Sequence, residues 1–283
     1  MKKVLKSILC GIVFLTFLWL ILGFCIPKWS IKLTEYRITS NELTVPLRIV
    51  QLSDLHNTDL GDRLPQLVAE QEPDLILFIG DLVDMDHGDR NHALATLRSL
   101  ADIAPVYISM GNHDVVHEII YDIDLKAAYE AAGAIVLDSV YEDITVKGQK
   151  IRIGGIYGYC LPDKYIEARE PESAFLRDFQ STPNYTLLMT HMPVCWLING
   201  SLEYWDVDCV LSGHTHGGQV VLPFVGGLYA PDQGWFPGEC SGHFETDNKH
   251  LIVTTGLGGT TPAPRFWNRP EVVVVDIIPS QTP

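Results

Sequence analysis

The pattern of apolar positions divides the chain into a short N-terminal part and a long remainder. From Ile8 to Ile26 the sequence is almost unbroken apolar, and its length of roughly 19 residues suits a bilayer-spanning helix. A cleaved signal peptide has a shorter apolar region and an Ala-x-Ala-like cleavage site, and neither feature is present in this stretch. We therefore predict a membrane anchor at residues 1–27, with a buried core helix as the alternative.

The charges beside this apolar run are nearly balanced, so they orient the anchor only weakly. The basic residues that flank it are Lys2, Lys3 and Lys6 before, and Lys28, Lys32 and Arg37 after. A very short basic tail usually stays in the cytoplasm. We expect a single-pass protein of the cell membrane whose remaining chain lies outside the cytoplasm.

After a predicted linker and lead-in at residues 28–44, short apolar runs alternate with segments of helical spacing. The predicted strands are 47–52, 74–79, 106–110, 135–137, 186–189 and 207–211, with a hairpin at 144–156. The predicted helices are 62–71, 92–101, 119–132 and 170–179, and further strands follow at 220–222, 251–254 and 272–278. This order predicts one α/β domain over residues 45–283, in which two packed mixed β-sheets are flanked by helices.

Composition narrows the class of partner. The chain has 283 residues, of which 47% are hydrophobic, and a formal net charge of −15. We expect no nucleic-acid partner, because phosphate backbones are bound by clusters of Lys and Arg. The six cysteines show no Cys-x-x-Cys spacing, so buried thiols are expected rather than a zinc ribbon or a disulfide framework.

Clusters of Asp, His and Asn follow five of the predicted strands. In chain order they are Ser53-Asp54-Leu55-His56, Gly80-Asp81-Leu82-Val83-Asp84, Gly111-Asn112-His113-Asp114, Thr190-His191 and Gly213-His214-Thr215-His216-Gly217. Each cluster alone is compatible with an ordinary polar turn. Ligands of open α/β sheets bind beyond the carboxyl ends of the strands, so we expect the five clusters to converge. Carboxylates, imidazoles and one amide oxygen suit manganese, iron or zinc.

The motif order Asp-x-His, Gly-Asp-x-x-Asp, Gly-Asn-His-Asp, His and Gly-His-x-His resembles that of the calcineurin-like metallophosphoesterases, over residues 45 to 278. The Gly-His-Thr-His-Gly-Gly-Gln segment and the later Gly256-Leu257-Gly258, Pro264-Arg265-Phe266 and Asn268-Arg269-Pro270-Glu271 segments are similar to its bacterial, membrane-associated branch. The resemblance implies two divalent ions (Mn, Zn or Fe). It assigns Asp54, His56 and His216 to the first ion, Asn112, His191 and His214 to the second, and Asp81 to a bridge between them.

Three further residues are candidates for roles around the metals. The resemblance implies that His113 stands beside the ions as a cation or as general acid for the leaving oxygen. Asp84 is a candidate to orient His113, with a simple turn or cap as the alternative. Arg265 is a candidate phosphate clamp, with a structural salt bridge as the alternative. His113 and His117 superficially resemble a His-Glu-x-x-His zinc motif, but Asp114 stands where that motif has Glu.

The expected activity is hydrolysis of a phosphoester or pyrophosphate bond by metal-activated water, on a membrane-associated lipid substrate. The alternatives are a phosphodiesterase acting on soluble nucleotides and a metal-binding scaffold without turnover. The Gly- and Pro-rich loop at 226–242 carries Leu228, Tyr229, Trp235 and Phe236. These side chains either cap the core or lie at the bilayer interface, where they would guide acyl chains past the metals.

Overall fold

The computed structural model describes residues 1–165, 169–259 and 264–280, which form two stacked β-sheets with helices on both outer faces. The first sheet has the order β1-β16-β2-β3-β4-β5. Its strands are β1 (Lys32–Ser40), β2 (Leu47–Leu52), β3 (Leu75–Ile79), β4 (Val106–Ser109), β5 (Ala134–Val136) and β16 (Glu271–Pro279). β2 to β5 run parallel, and β16 lies antiparallel to β2 but parallel to β1. This mixed sheet therefore collects the ends of β2, β3 and β4 at one edge.

The second sheet has the order β14-β15-β9-β8-β7-β6. Its strands are β6 (Val140–Val146), β7 (Gln149–Ile156), β8 (Tyr185–Thr190), β9 (Cys209–Ser212), β14 (Gly242–Thr246) and β15 (Lys249–Val253). β7, β8, β9 and β15 are parallel, and the outer strands β6 and β14 are antiparallel to their neighbours. Two small hairpins lie between β9 and β14, formed by β10 (Val221–Leu222) with β11 (Gly226–Gly227) and β12 (Tyr229–Ala230) with β13 (Gly234–Trp235).

The core has three parts, one between the sheets and one under each helical layer. The helices are α1 (Lys2–Trp29), α2 (Arg63–Ala69), α3 (Asn91–Ala101), α4 (Asn112–Tyr121), α5 (Leu125–Ala131), α6 (Glu170–Phe179), α7 (Val194–Ile198) and α8 (Ser201–Tyr204). Helices α2, α3 and α5 cover the first sheet, and α6 to α8 cover the second. Covering both faces explains why β3 is a continuous apolar run in which every residue is buried. The predicted fold class is thus confirmed.

Two local predictions differ from the structure. The predicted linker at 28–44 contains strand β1, which pairs with β16 along its whole length. An edge strand with alternating exposure carries few apolar residues, so its sequence resembles a polar linker. The predicted helix at 119–132 is two helices, since Asp122 adopts a left-handed conformation and the Asp124 side chain caps α5. The first of them, α4, begins at Asn112, and its residues His113, Asp114 and His117 are buried.

Helix α1 is exposed over most of its length, and its C-terminal part packs against the folded domain. The backbone N–H of Trp267 donates to the carbonyl oxygen of Gly23 at 2.8 Å. The rings of Trp19 and Phe24 lie 5.0 and 4.8 Å from the ring of Phe266. A Cβ at Gly23 would lie 2.7 Å from Phe266 Cζ, so the close approach requires glycine. The helix is long and apolar enough to cross a membrane.

Candidate metal centre

The loops after five buried strands meet at one edge of the sandwich. They bring together the seven predicted ligand residues Asp54, His56, Asp81, Asn112, His191, His214 and His216. Three overlapping groups of ligand atoms each lie within 4.8 Å of one another. A cavity of about 250 Å³ opens beside them and is also lined by His113 and Asp84. The five sequence clusters therefore form one site.

The first group consists of Asp54, His56 and His216. The Nε2 atoms of the two histidines are 3.2 Å apart, and they lie 3.8 and 3.6 Å from Asp54 Oδ1. The backbone N–H of His214 donates to both Asp54 carboxylate oxygens at 3.1 Å. The loop after β9 therefore orients the carboxylate that follows β2.

The second group consists of Asp81, His191 and His214. Asp81 Oδ2 lies 3.0 Å from His191 Nε2 and 3.7 Å from His56 Nε2, so Asp81 faces both groups. His214 Nε2 lies 3.2 Å from Asp232 Oδ2. A carboxylate on the outer nitrogen of a histidine fixes the ring and leaves the other nitrogen for a ligand.

The donor geometry tests whether a metal ion fits. His191 Nδ1 lies 2.8 Å from the carbonyl oxygen of Ile79, which only accepts, so Nδ1 carries a proton. The Nε2 lone pair then faces Asp81 Oδ2, and two acceptors at 3.0 Å need a proton or a metal ion between them. Asn112 Oδ1 is also buried, with no hydrogen-bond partner among the described residues. Carboxylate, imidazole and amide donors arranged in this way fit divalent manganese, iron or zinc.

The charges of the site reinforce one another. Burial raises the pKa of a carboxyl group, but the neighbouring histidines together outweigh this for Asp54 and for Asp81, and both pKa values fall well below the usual range. For His191, burial lowers the pKa, yet the Asp81 carboxylate prevails and raises it to about 10. Burial, with help from His56, lowers the pKa of His216 to about 3. The carboxylates are ionised at neutral pH. Without a bound ion His216 is neutral and His191 is protonated at that pH, so metal binding at His191 would release a proton.

Five of the seven candidate ligand residues have a left-handed backbone. The φ angles are 55° at Asp54, 48° at His56, 54° at Asp81, 68° at His214 and 49° at His216. Such conformations are uncommon outside glycine, although Asp and His tolerate them better than most residues. They occur where the surrounding structure holds a strained backbone in place, typically at functional sites.

A buried carboxylate that the sequence analysis did not single out for a role ties the loops together. Asp114 Oδ2 accepts from the backbone N–H groups of Asp81 at 2.7 Å and Gly111 at 2.9 Å. Its Oδ1 accepts from the N–H of Val83 at 3.2 Å and from the Tyr129 hydroxyl at 2.8 Å. Burial and the nearby Asp81 charge raise the pKa of Asp114 to about 6. Asp114 thus holds the loop after β3 against the start of α4.

His113 lies beside the metal ligands and lines the cavity. Its backbone N–H donates to Asp81 Oδ1 at 2.8 Å, and its Nδ1 accepts from the N–H of Met85 at 3.3 Å. Because Nδ1 is the acceptor, Nε2 carries the proton of the neutral ring. Burial, with His56 nearby, lowers the pKa of His113.

The structure places Asp84 near His113 without a hydrogen bond between them. Asp84 Oδ1 is 3.9 Å from His113 Nδ1, which is too long, and it accepts from the N–H of Asp86 at 2.8 Å in a local turn. Met85, rather than Asp84, therefore makes the hydrogen bond that orients the His113 ring. His117 Nδ1 donates to the Asp84 carbonyl oxygen at 2.8 Å, and this hydrogen bond also holds the Asp84 turn in place.

Arg265 lies behind His216 and is buried. Its Nε and Nη2 donate to the carbonyl oxygens of Gly258 and Thr255, and Nη2 is 3.5 Å from His216 Nδ1. Its Nη1 has no hydrogen-bond partner among the described residues. The side chain of Asn268 donates to the His216 carbonyl oxygen at 2.6 Å. This segment, which continues into Phe266 and the contact with α1, supports the histidine loop.

The fold and the site together define a metal-dependent phosphoester hydrolase. Residues 47–218 match the family described as calcineurin-like phosphoesterase, and the chain belongs to this family. The predicted family and enzyme class are confirmed.

Two curated bacterial proteins are similar over most of this chain. The uncharacterized metallophosphoesterase YkuE of Bacillus subtilis is 32% identical over 259 residues, covering 86% of this chain and 84% of that protein. The phosphodiesterase YaeI of Escherichia coli is 28% identical over 269 residues, covering 90% of this chain and 91% of that protein. Among solved structures, TT1561 of Thermus thermophilus aligns with a TM-score of 0.47 and 14% identity, over 74% of this chain and 89% of that one.

Proposed function

We propose that this enzyme hydrolyses a phosphoester or pyrophosphate bond of a membrane-associated lipid, using two divalent metal ions. The observation that carries the two-ion proposal is the position of Asp81. One of its carboxylate oxygens faces the Asp54–His56–His216 group at 3.7 Å and His191 at 3.0 Å. A carboxylate shared in this way suits a bridge between two cations. When bound, such a pair of ions polarises a phosphoryl oxygen and supplies a hydroxide nucleophile near neutral pH.

The residues of the chain divide into ligands and groups that face the substrate. Asp54, His56 and His216 would hold the first ion, and Asn112, His191 and His214 the second. His113 lines the cavity and has Nδ1 occupied by the N–H of Met85, so its Nε2 would donate a proton or a hydrogen bond to the leaving oxygen. Arg265 would act as a phosphate clamp only through Nη1, which is buried and has no partner among the described residues, because its other donors hold backbone carbonyls.

The N-terminal helix supports a substrate that is held at the membrane. About 20 residues of helix span the hydrocarbon core, so the apolar run Ile8–Ile26 of α1 would cross the bilayer and Gly23 would lie within about one turn of its surface. Gly23 is bonded to Trp267, two residues from Arg265. The docked helix would thus hold the metal centre close to lipid headgroups. A segment removed after targeting has no need of such a fitted contact.

The test is turnover by the full-length protein in detergent, loaded with manganese or zinc. The panel contains a phospholipid and a lipid pyrophosphate in mixed micelles, a cyclic nucleotide, and bis-p-nitrophenyl phosphate. Asp81→Asn is the matched control for adventitious phosphatase. We expect turnover of the aryl diester and of at least one lipid, both lost in Asp81→Asn. Preference for the cyclic nucleotide would refute the lipid assignment, and no turnover of any compound would indicate a scaffold.

A further inference from the structure

An apolar groove adjoins the metal centre. Its volume is about 380 Å³, within the range of roughly 300–1,000 Å³ that is usual for ligand pockets. The lining residues are Thr215, His216, Gly218, Gln219, Val220, Leu228, Tyr229, Pro231 and Trp235. Because His216 forms part of both the groove wall and the first candidate metal group, a molecule bound in the groove would lie directly beside the metal centre.

Large apolar side chains stand exposed on the two hairpins that border this groove. Phe224 is fully exposed at the turn of the β10–β11 hairpin, beside Val225. Trp235 and Phe236 on the second hairpin are 68% and 61% exposed, and Trp235 packs against Tyr229. A group of exposed apolar side chains marks an interaction surface.

The hairpins are joined directly to the segment on which α1 packs. The N–H of Val221 in β10 donates to the carbonyl oxygen of Phe266 at 2.9 Å, and the Phe266 ring contacts Trp19 and Phe24 of the helix. Leu228 joins the two hairpins, because its N–H donates to the carbonyl oxygen of Val220 at 2.8 Å and its own carbonyl oxygen accepts from the N–H of Phe236 at 2.8 Å. A bilayer that contains the apolar run of α1, with Gly23 in its last turn, would therefore lie close to these hairpins.

We infer that the groove binds the hydrocarbon chain of the substrate, with the exposed hairpin residues at the bilayer surface where that chain enters. This inference rests on the proposed function and deepens it, because it assigns a subsite for an acyl or alkyl chain. The groove opens at His216, so its occupant is covalently part of the molecule whose phosphorus atom is attacked. An aliphatic chain matches the apolar wall formed by Val220, Leu228, Pro231 and Trp235.

The experiment measures kcat/KM for a series of p-nitrophenyl alkyl phosphodiesters, from methyl to octyl, each below its micelle concentration. All members release the same p-nitrophenolate, so only the alkyl group differs. A fully buried methylene is worth about 0.8 kcal/mol, or roughly fourfold in kcat/KM. Because the groove is open on one side, we expect a gain of about two- to fourfold per methylene until the groove is full.

Substitutions in the groove test whether the alkyl group of the substrate binds there. Leu228→Gln makes the groove wall polar, and Ile119→Gln makes the same kind of change at an exposed position on α4, outside the groove. The slope of log kcat/KM against chain length should flatten in Leu228→Gln and persist in Ile119→Gln. Trp235→Gln, at a largely exposed groove residue, should flatten it also and covers the case in which Leu228→Gln does not fold.

The outcomes separate this inference from the proposed function. Turnover that is equal for all chain lengths would overturn the groove assignment and leave the phosphodiesterase proposal standing. If log kcat/KM still rises with alkyl chain length in both groove variants, the alkyl group binds elsewhere and the groove assignment is also overturned. Absence of turnover for every diester, including the methyl ester, would refute the proposed function itself.

Discussion

Replacing Gly111 by alanine should displace the bridging carboxylate without touching any ligand residue. Gly111 has φ −112° and ψ 178°, an extended conformation that alanine adopts freely. The added Cβ would lie 2.5 Å from the backbone nitrogen of Asp81, and closer still to its Oδ1. Ordinary contact begins at 3.4 Å, so Asp81 has to retreat by about 0.9 Å or more. That shift also weakens the bond from the His113 N–H to Asp81.

A displacement of this size has a large effect on rate. A misplacement of about 1 Å costs on the order of 100-fold in catalysis, so kcat/KM for bis-p-nitrophenyl phosphate should fall about 100-fold in Gly111→Ala. The assay is steady-state turnover with excess metal, with thermal melting measured in parallel. Gly238→Ala is the control, because a Cβ at Gly238 meets nothing within 4 Å. Activity within a few-fold of the parent in Gly111→Ala would show that the Asp81 position is not critical and would refute the reasoning.

Three more predictions address the ions, the acid and the topology. Asp81→Asn should lose at least one metal ion per chain by elemental analysis, together with nearly all turnover; two ions and normal activity would reject the bridge. His113→Asn should retain both ions but slow esters with poor leaving groups most, so a plot of rate against leaving-group pKa that kept its slope would exclude the acid role. Protease added to intact spheroplasts should digest the domain, whereas protection until lysis would place the domain in the cytoplasm.

The site was predictable where its chemistry is local in sequence. Asp54 and Asp81 each follow an apolar run whose short length favours a buried strand, so the sequence predicts the strand end and the polar loop that follows it. The parallel arrangement then brings separate loops to one edge. Asp84 shows the limit of this reasoning, since proximity in sequence suggested a bond to His113 that the Met85 N–H makes instead.

The features that were missed depend on contacts between distant parts of the chain. Asp232 bonds to His214 across a Gly- and Pro-rich loop without strand periodicity. In the sequence Asp114 resembles an ordinary residue at a helix N-terminus. Only the structure shows that its carboxylate accepts hydrogen bonds from the Asp81 N–H and the Tyr129 hydroxyl. Strand β1 is fixed by β16, whose residues lie more than 200 positions away. Sequence spacing carries no record of such pairings.

The left-handed backbone at five candidate ligand residues would couple metal occupancy to folding. Each such residue costs about 1–3 kcal/mol, so even at the low end the five together amount to about 5 kcal/mol. The whole stability of a typical domain is only about 5–15 kcal/mol. Ions that bind the folded chain and not the unfolded one shift this balance toward the folded state. Metal supply during synthesis would then decide how much of this protein survives in the cell, and its abundance would follow the availability of the ions as directly as its activity does.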